Sequence, residues 1–450
     1  MSERPRVTVV GGGFAGVECA WQLARRGHRV RLVEMRPVRT TDAHETDRLA
    51  EMVCSNSFRS DNPQNAVGLL KREMESVGSL VLEEARRAAV PAGDALAVDR
   101  RLFADAVTRR VAERPEIDLA RAEVESLARA REEAEFVVIA TGPLTSDALA
   151  ASLKEALGDR YLYFYDAVAP VVEDASLDHA KLFAASRWGK GGGDDYRNVP
   201  LSKTEYEAFV EELLAGEKVP FHDFEKAVYF EGCLPIEAMA ERGIETLRHG
   251  PMKPFGLRDP RTGREPYAVV QLRQDDLARS HWNLVGFQTK LKQGEQRRIF
   301  RTLPGLADAV FVRYGQLHRN TYLNGPAHLD AFFRWKKDPG VFFAGQLTGV
   351  EGYLESAATG LMAGATLAQI LEGRDPLPLP PATALGSLAR HVSAPREGAY
   401  VPANVTFGLM DEADVPKLKD KGARRERLVK TALEKVGAWA GAALPPPAGQ

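Results

Sequence analysis

Two of the three cysteines in the 450-residue chain stand where a thiol can act on a substrate. Cys54 lies in the polar run Met52-Val53-Cys54-Ser55-Asn56-Ser57. Cys233 lies between Gly232 and Leu234-Pro235, a bracket that favours a turn presenting its side chain. A thiolate in such a setting can attack an electrophilic carbon or take up a proton. Inert packing is an equal alternative on composition alone. Cys19, three residues after Gly16, reads as a small buried hydrophobe. An odd, sparse cysteine count excludes a disulfide framework and a four-cysteine metal cluster, so no metal site is expected. The second chemical feature is Gly11-Gly12-Gly13-Phe14-Ala15-Gly16, with Glu34 18 residues after the last glycine.

The elements around that glycine run give it meaning. A short β-rich stretch, Val7–Val10, precedes it. A helical apolar pattern (Val17, Ala20, Trp21, Ala24) follows, and a second strand over residues 29–35 carries Glu34 at its end. This β-α-β unit is the context a dinucleotide fingerprint requires. Gly11 permits the turn, Gly13 lets a pyrophosphate approach, and Gly16 lets helix and strand pack. Gly12, Phe14 and Ala15 complete the helix N-terminus that faces the phosphates. Glu34 is placed to accept hydrogen bonds from a ribose diol, with Met35 and Arg36 beside it. A buried strand over 135–140 ends in Thr141-Gly142, and another over 341–344 leads into Gly345-Gln346 and on to Glu351-Gly352. The small-residue helix from 353 to 370 then presents a second N-terminus to a ligand. FAD needs two such contacts, so the layout favours FAD over NAD.

The middle of the chain differs in texture. Residues 161–165 are aromatic and strand-like, 189–195 read as a polar loop and 201–214 as a helix, and 228–285 alternate turns with short apolar runs. Asp99 reads as an N-cap for a helix whose apolar face is Leu102, Phe103, Ala106, Val107 and Val111. The expected fold is α/β: a Rossmann-like, glutathione-reductase-like FAD-binding domain from residues 1–160 and 301–450, with an inserted α+β domain over 161–300. The Pro-rich stretch 375–381 is expected to end the core, before a basic segment at 417–430 and a disordered end at 445–450. With 60 Lys plus Arg against 62 Asp plus Glu, the net charge of −2 excludes a polycation, though not a local basic footprint. No apolar run approaches the ~18 residues of a membrane span. Residues 1–6 lead straight into a strand, so no signal peptide is expected and the chain reads as cytoplasmic.

Longer stretches carry a resemblance: VCSNSFRSDNPQNAVGLLKREM at 53–74, YFEGCLPIE at 229–237, PMKPFGL at 251–257, NLVGFQTKLKQGEQ at 283–296, RYGQLHRNTYLNGP at 313–326 and FAGQLTGVEGYLESAATG at 343–360. With the glycine run and Glu34-Met35-Arg36-Pro37 they cover most of residues 7–372. On these the chain resembles the bacterial folate- and FAD-dependent tRNA (uracil-5-)-methyltransferases, TrmFO. EGCLPIE, HRNT and GQLTGVEGY separate it from the related GidA (MnmG) proteins. The resemblance implies that NADH or NADPH reduces FAD. The one-carbon unit of 5,10-methylenetetrahydrofolate then passes by way of the flavin to C5 of a T-loop uridine, conventionally tRNA position 54. It implies Cys233 as the nucleophile at C6 and Cys54 as the base or the guard of the flavin site, with the two roles exchangeable. Tyr353 and Glu351 are implied proton-transfer or positioning groups. One departure is Val199, where the family often has a cysteine.

A T-loop target must be made accessible, and cations must follow its phosphates. Lys71-Arg72, Arg100-Arg101, Arg297-Arg298, Lys336-Lys337 and the 417–430 segment are candidates, as are Trp188, Tyr196 and Tyr322 for stacking on bases. No membrane or protein partner is implied. Three other readings stay open: the same chemistry on a ribosomal RNA uridine, a small-molecule flavin oxidoreductase, and an RNA-binding module that keeps FAD as a structural element.

Overall fold

Val7–Val10 is short, apolar and wholly buried, and it lies near the centre of a six-stranded sheet. The strand order is Arg334–Trp335, Asp338–Phe343, Phe136–Ile139, Val7–Val10, Val30–Glu34, Ile117–Arg121. All pairings are parallel except the Arg334–Trp335 edge. A parallel sheet is covered on both faces, which is why its central strands read as continuous apolar runs. The computed structural model describes residues 6–41, 43–158, 161–220, 234–398, 400–413 and 420–445. Cys233, residues 417–419 of the basic segment and the end at 446–450 lie outside the described residues.

The helix after the glycine run, Phe14–Ala24, is buried along its whole length. It packs against Tyr353–Leu371, the small-residue helix expected from the sequence. Two glycines set the close approaches. A Cβ on Gly16 would lie 1.8 Å from the Gly11 carbonyl oxygen, and one on Gly360 would lie 2.0 Å from that of Ala15. Neither distance tolerates a side chain, so helix meets turn and helix meets helix backbone to backbone.

A second, antiparallel sheet runs Phe183–Ala184, Tyr196–Leu201, Ala268–Gln274, His281–Leu284, Val171–Glu173, Phe311–Arg313. It has its own core, with Tyr206, Phe209, Trp282, Phe287 and Phe300. That core extends to Ala309 and the sheet to Arg313, past the boundary at 300 expected from the sequence. The ribbon of Tyr161–Ala167 with Leu317–Leu323 carries the chain into this layer and back. A small sheet of Ser57–Ser60, Ala95–Val98 and Ala89–Val90 follows the Cys54 segment.

Two local expectations are corrected. The core does not end at the prolines: Leu385, Leu388 and Val392 of the Ala384–Ser393 helix and Leu428, Val436 and Trp439 of the Lys421–Ala443 helix join the main core. Proline interrupts a helix but does not stop later apolar faces from docking. The buried Glu73 carboxylate accepts Ala384 N and Leu385 N at 2.8 and 2.9 Å, which satisfies that helix start. In the Arg100–Ala112 helix, capped by Asp99 as expected, the buried face is Phe103, Ala104, Val107 and Val111, while Leu102 is 48% exposed. No helix among the described residues is long and apolar enough to cross a membrane.

Candidate functional site: a dinucleotide cleft joined to a cysteine cavity

Gly11, Gly13, Glu34, Met35, Arg36 and Thr141 line one cavity of about 550 Å³ at the carboxyl ends of the parallel strands. This is where doubly wound sheets bind ligands. Glu34 is buried, and its carboxylate accepts Gly12 N at 2.8 Å, Arg36 N at 3.0 Å and Arg36 Nε at 2.8 Å. Burial pushes its pKa up, but the Arg36 guanidinium and these N–H groups outweigh that and hold it below the usual carboxylate range. Arg36 in turn donates to Glu51 Oε2 at 2.9 Å and to the Thr46 carbonyl at 3.1 Å. Its guanidinium therefore fixes Glu34 rather than standing open to a ligand. Gly13 has no atom within 4 Å of the place where a Cβ would be. That open space above a helix N-terminus suits a pyrophosphate. Phe14 turns inward, stacking on Tyr353 at 4.8 Å and on Phe103 at 5.9 Å.

The second cavity, about 1140 Å³, is lined by Cys54, Ser55, Arg59, Arg273, Gln346, Glu351, Gly352 and Tyr353 among others. Leu144 lines both cavities, so they are neighbours. The Cys54 backbone is held from the far end of the chain: Cys54 N and Ser55 N donate to Tyr353 Oη at 2.6 and 3.2 Å. Burial and the neighbouring Cys54 push the Tyr353 phenol well up, against the opposing pull of Arg100. The phenol therefore keeps its proton. With its oxygen accepting two N–H groups, its O–H remains as a donor. Cys54 Sγ lies 3.7 Å from the Ala167 carbonyl oxygen, which the thiol can approach as a weak donor. Glu351 is buried and accepts Gln346 Nε2 at 2.7 Å, and Asn404 Nδ2 donates to its carbonyl at 2.6 Å.

The family model for glucose inhibited division protein A matches residues 6–375. A curated relative from Geobacter sulfurreducens, named methylenetetrahydrofolate--tRNA-(uracil-5-)-methyltransferase TrmFO, is 56% identical over 96% of this chain and 98% of its own. The protein of the same name from Anaeromyxobacter dehalogenans is 56% identical over 98% of each chain. The chain belongs to this family, on its TrmFO branch. Among solved structures, Aquifex aeolicus GidA superposes with a TM-score of 0.72 over 98% of this chain and 74% of its own, at 15% identity, which establishes the shared fold.

Reasoning from the sequence missed three charged residues that build this TrmFO-family cavity. Arg273, buried in the second sheet, donates from Nη2 to Ser55 Oγ at 2.7 Å and from Nε to Asn56 Oδ1 at 2.8 Å. Arg59 pairs with Glu355, which is fully buried in the first turn of the Tyr353–Leu371 helix and also accepts Val405 N at 2.9 Å. The available signal was a charge within an apolar strand, Ala268–Gln274, and an acid in a helix first turn. Of the candidate phosphate contacts, Lys71 and Arg100 are buried: Lys71 donates to the Ser60 carbonyl at 2.7 Å and Arg100 to that of Met52 at 3.1 Å. Tyr322 is core, whereas Trp188 is 73% exposed. Val199 is buried between strands opposite Val270, so the family's cysteine at this place falls on a packing position here.

Proposed function

We propose that this chain is a methylenetetrahydrofolate- and FAD-dependent tRNA (uracil-5-)-methyltransferase of the cytoplasm, forming 5-methyluridine at T-loop position 54. The observation that carries the reading is the dinucleotide cleft bordering, at Leu144, the cavity lined by Cys54 and Tyr353. Identity above one half to the TrmFO relatives, over nearly the whole length of both chains, supports the same donor and substrate. FAD would be held at its adenosine and pyrophosphate end by residues 11–16, Glu34 and Met35, Thr141 and Gly142, with Arg36 acting through Glu34, and at its flavin end by Gly345, Gln346 and Gly352. The part built around the parallel sheet would bind it, and the inserted part, which runs on to Arg313, carries Cys233. When bound, FAD supplies the electrons, delivered by NADH or NADPH, that bring the donated carbon to the methyl level.

The chain's own residues act on the uracil. C5 is a weak nucleophile. Addition of the Cys233 thiolate to C6 moves an electron pair toward C5 and O4, and C5 then bonds to the one-carbon unit. Cys54 takes the C5 proton, and that electron pair breaks the bond from the transferred carbon to its carrier nitrogen; the hydride equivalent that reduced FAD would supply then completes the methyl group, and the pair it displaces expels Cys233 from C6. Tyr353 fixes the Cys54 backbone and offers its O–H inside the cavity. Glu351, held by Gln346, positions the turn before the Tyr353–Leu371 helix.

The test uses labelled methylenetetrahydrofolate, NADH and a T-arm transcript. Label at C5 of the uridine is expected, and its absence overturns the proposal. A ribosomal fragment as competitor separates the two RNA targets. A 5-fluorouracil T-arm is expected to form a covalent adduct that disappears in Cys233→Ala and persists in Cys54→Ala. The opposite pattern exchanges the two roles.

A further inference from the structure

Trp188 stands apart from the other tryptophans. Trp21, Trp282, Trp335 and Trp439 are buried, while Trp188 is 73% exposed. Its backbone lies in the left-handed region, at φ 58° and ψ 25°, a strained place for a bulky residue. Strain is kept only where the surroundings enforce it, and here they do. Trp188 N donates to the Gly256 carbonyl at 3.0 Å. The adjacent Arg187 donates to the carbonyls of Phe255 and Lys253 at 2.7 and 2.6 Å. A Cβ built on Gly256 would lie 2.5, 2.7 and 2.9 Å from Cε2, Cδ2 and Nε1 of the indole. An approach in the ring plane would meet Nε1 before Cδ2, so the Gly256 backbone covers one face of the ring. The other face is left to solvent. Phe255, 45% exposed, and the exposed Lys253 and Arg258 lie within three residues of Gly256, and the exposed Lys190 lies two residues after Trp188. Acids border the same segment: Asp94 pairs with Lys190 at 3.0 Å, Glu265 accepts Gly256 N at 3.2 Å and Asp195 accepts Gly192 N at 3.2 Å.

We infer that Trp188 is a stacking platform for an unpaired nucleobase of the substrate RNA. The inference rests on the proposed tRNA methylation and names the surface that receives the loop. A fixed aromatic face flanked by cations is how single-stranded RNA is held, because every base offers a π-face and every nucleotide a phosphate. The platform is also tied to the cavity. Arg187 Nε donates to Gln271 Oε1 at 2.9 Å, and Gln271 shares a strand face with Arg273 roughly 7 Å further on. Arg273 then reaches Ser55, beside Cys54. The platform and the cavity are thus connected through one strand of the second sheet.

The test compares wild type, Trp188→Ala and Trp188→Phe as FAD-loaded proteins. T-arm affinity is read by fluorescence anisotropy at several salt concentrations, and methyl transfer by steady-state kinetics. Trp188→Ala is expected to weaken RNA binding by about 5- to 100-fold, with the loss in KM rather than kcat. The flavin spectrum should not change. Stacking releases no counterions, so the slope of log affinity against log salt should be unchanged, and Trp188→Phe should restore most of the affinity. Unchanged affinity and KM in Trp188→Ala, with wild type active, overturns the stacking role alone. A change confined to oligomeric state assigns the patch to a second copy and also overturns it. A wild type that neither binds nor methylates the T-arm overturns the functional reading itself.

Discussion

Tyr353 is the residue on which the cysteine cavity turns, since its hydroxyl oxygen takes N–H groups from both Cys54 and Ser55. Tyr353→Phe keeps the ring that stacks on Phe14 and removes only the hydroxyl, the acceptor of those N–H groups and the donor into the cavity. Leaving two partly buried N–H groups without it costs about 1–3 kcal/mol. Methyl transfer in single turnovers is therefore expected to fall by about 10- to 100-fold, while the flavin spectrum stays that of wild type. Lys71 offers a test by pH. It is fully buried, and burial pulls its ammonium from 10.5 to about 7. In the unfolded chain it stays near ~10.4, so between these values the unfolded state binds the extra proton. Its contribution to stability therefore rises as pH climbs from about 7 to about 10, and is lost as pH falls toward 7. Urea unfolding at pH 7 and pH 9 should show a smaller rise in stability for Lys71→Met than for wild type. Parallel pH dependence in the two proteins would refute the assignment.

At the scale of elements, the contact between Phe14–Ala24 and Tyr353–Leu371 places both ligand-facing helix starts. Gly360 allows it, because its missing Cβ would fall 2.0 Å from the Ala15 carbonyl. Gly360→Ala is expected to force the helices apart at a cost of about 1–3 kcal/mol. A lower Tm and FAD lost on gel filtration would report that movement, and an unchanged Tm would show that the pair can slide. The glycine run, its strand and its helix were legible in the sequence because their signals are local: an apolar strand, a turn of glycines, a helical period. The last two helices were not. Prolines mark where a helix stops, and nothing local says that Leu385 or Trp439 will rejoin the first core.

At the scale of the whole molecule, the inserted layer reaches the cavity through Arg273. Its guanidinium joins the second sheet to Ser55 and Asn56, while Arg100, from the first part, pairs with Asp275 at 3.0 Å. Arg273→Leu should leave the flavin bound and the cysteine segment untethered, with methyl transfer down at least about tenfold. Retained activity in that variant would show that the two parts hold their relation without this link. The sequence by itself determined the nucleotide-binding half, the family and the candidate thiols, since these rest on short-range pattern and on matched stretches of chain. Only the tertiary structure decided which groups share a cavity. Tyr353 meets Cys54 across 299 residues and Arg273 meets Ser55 across 218. Such pairings follow from how the sheets and helices pack, and that packing leaves no periodic trace in the residues it brings together.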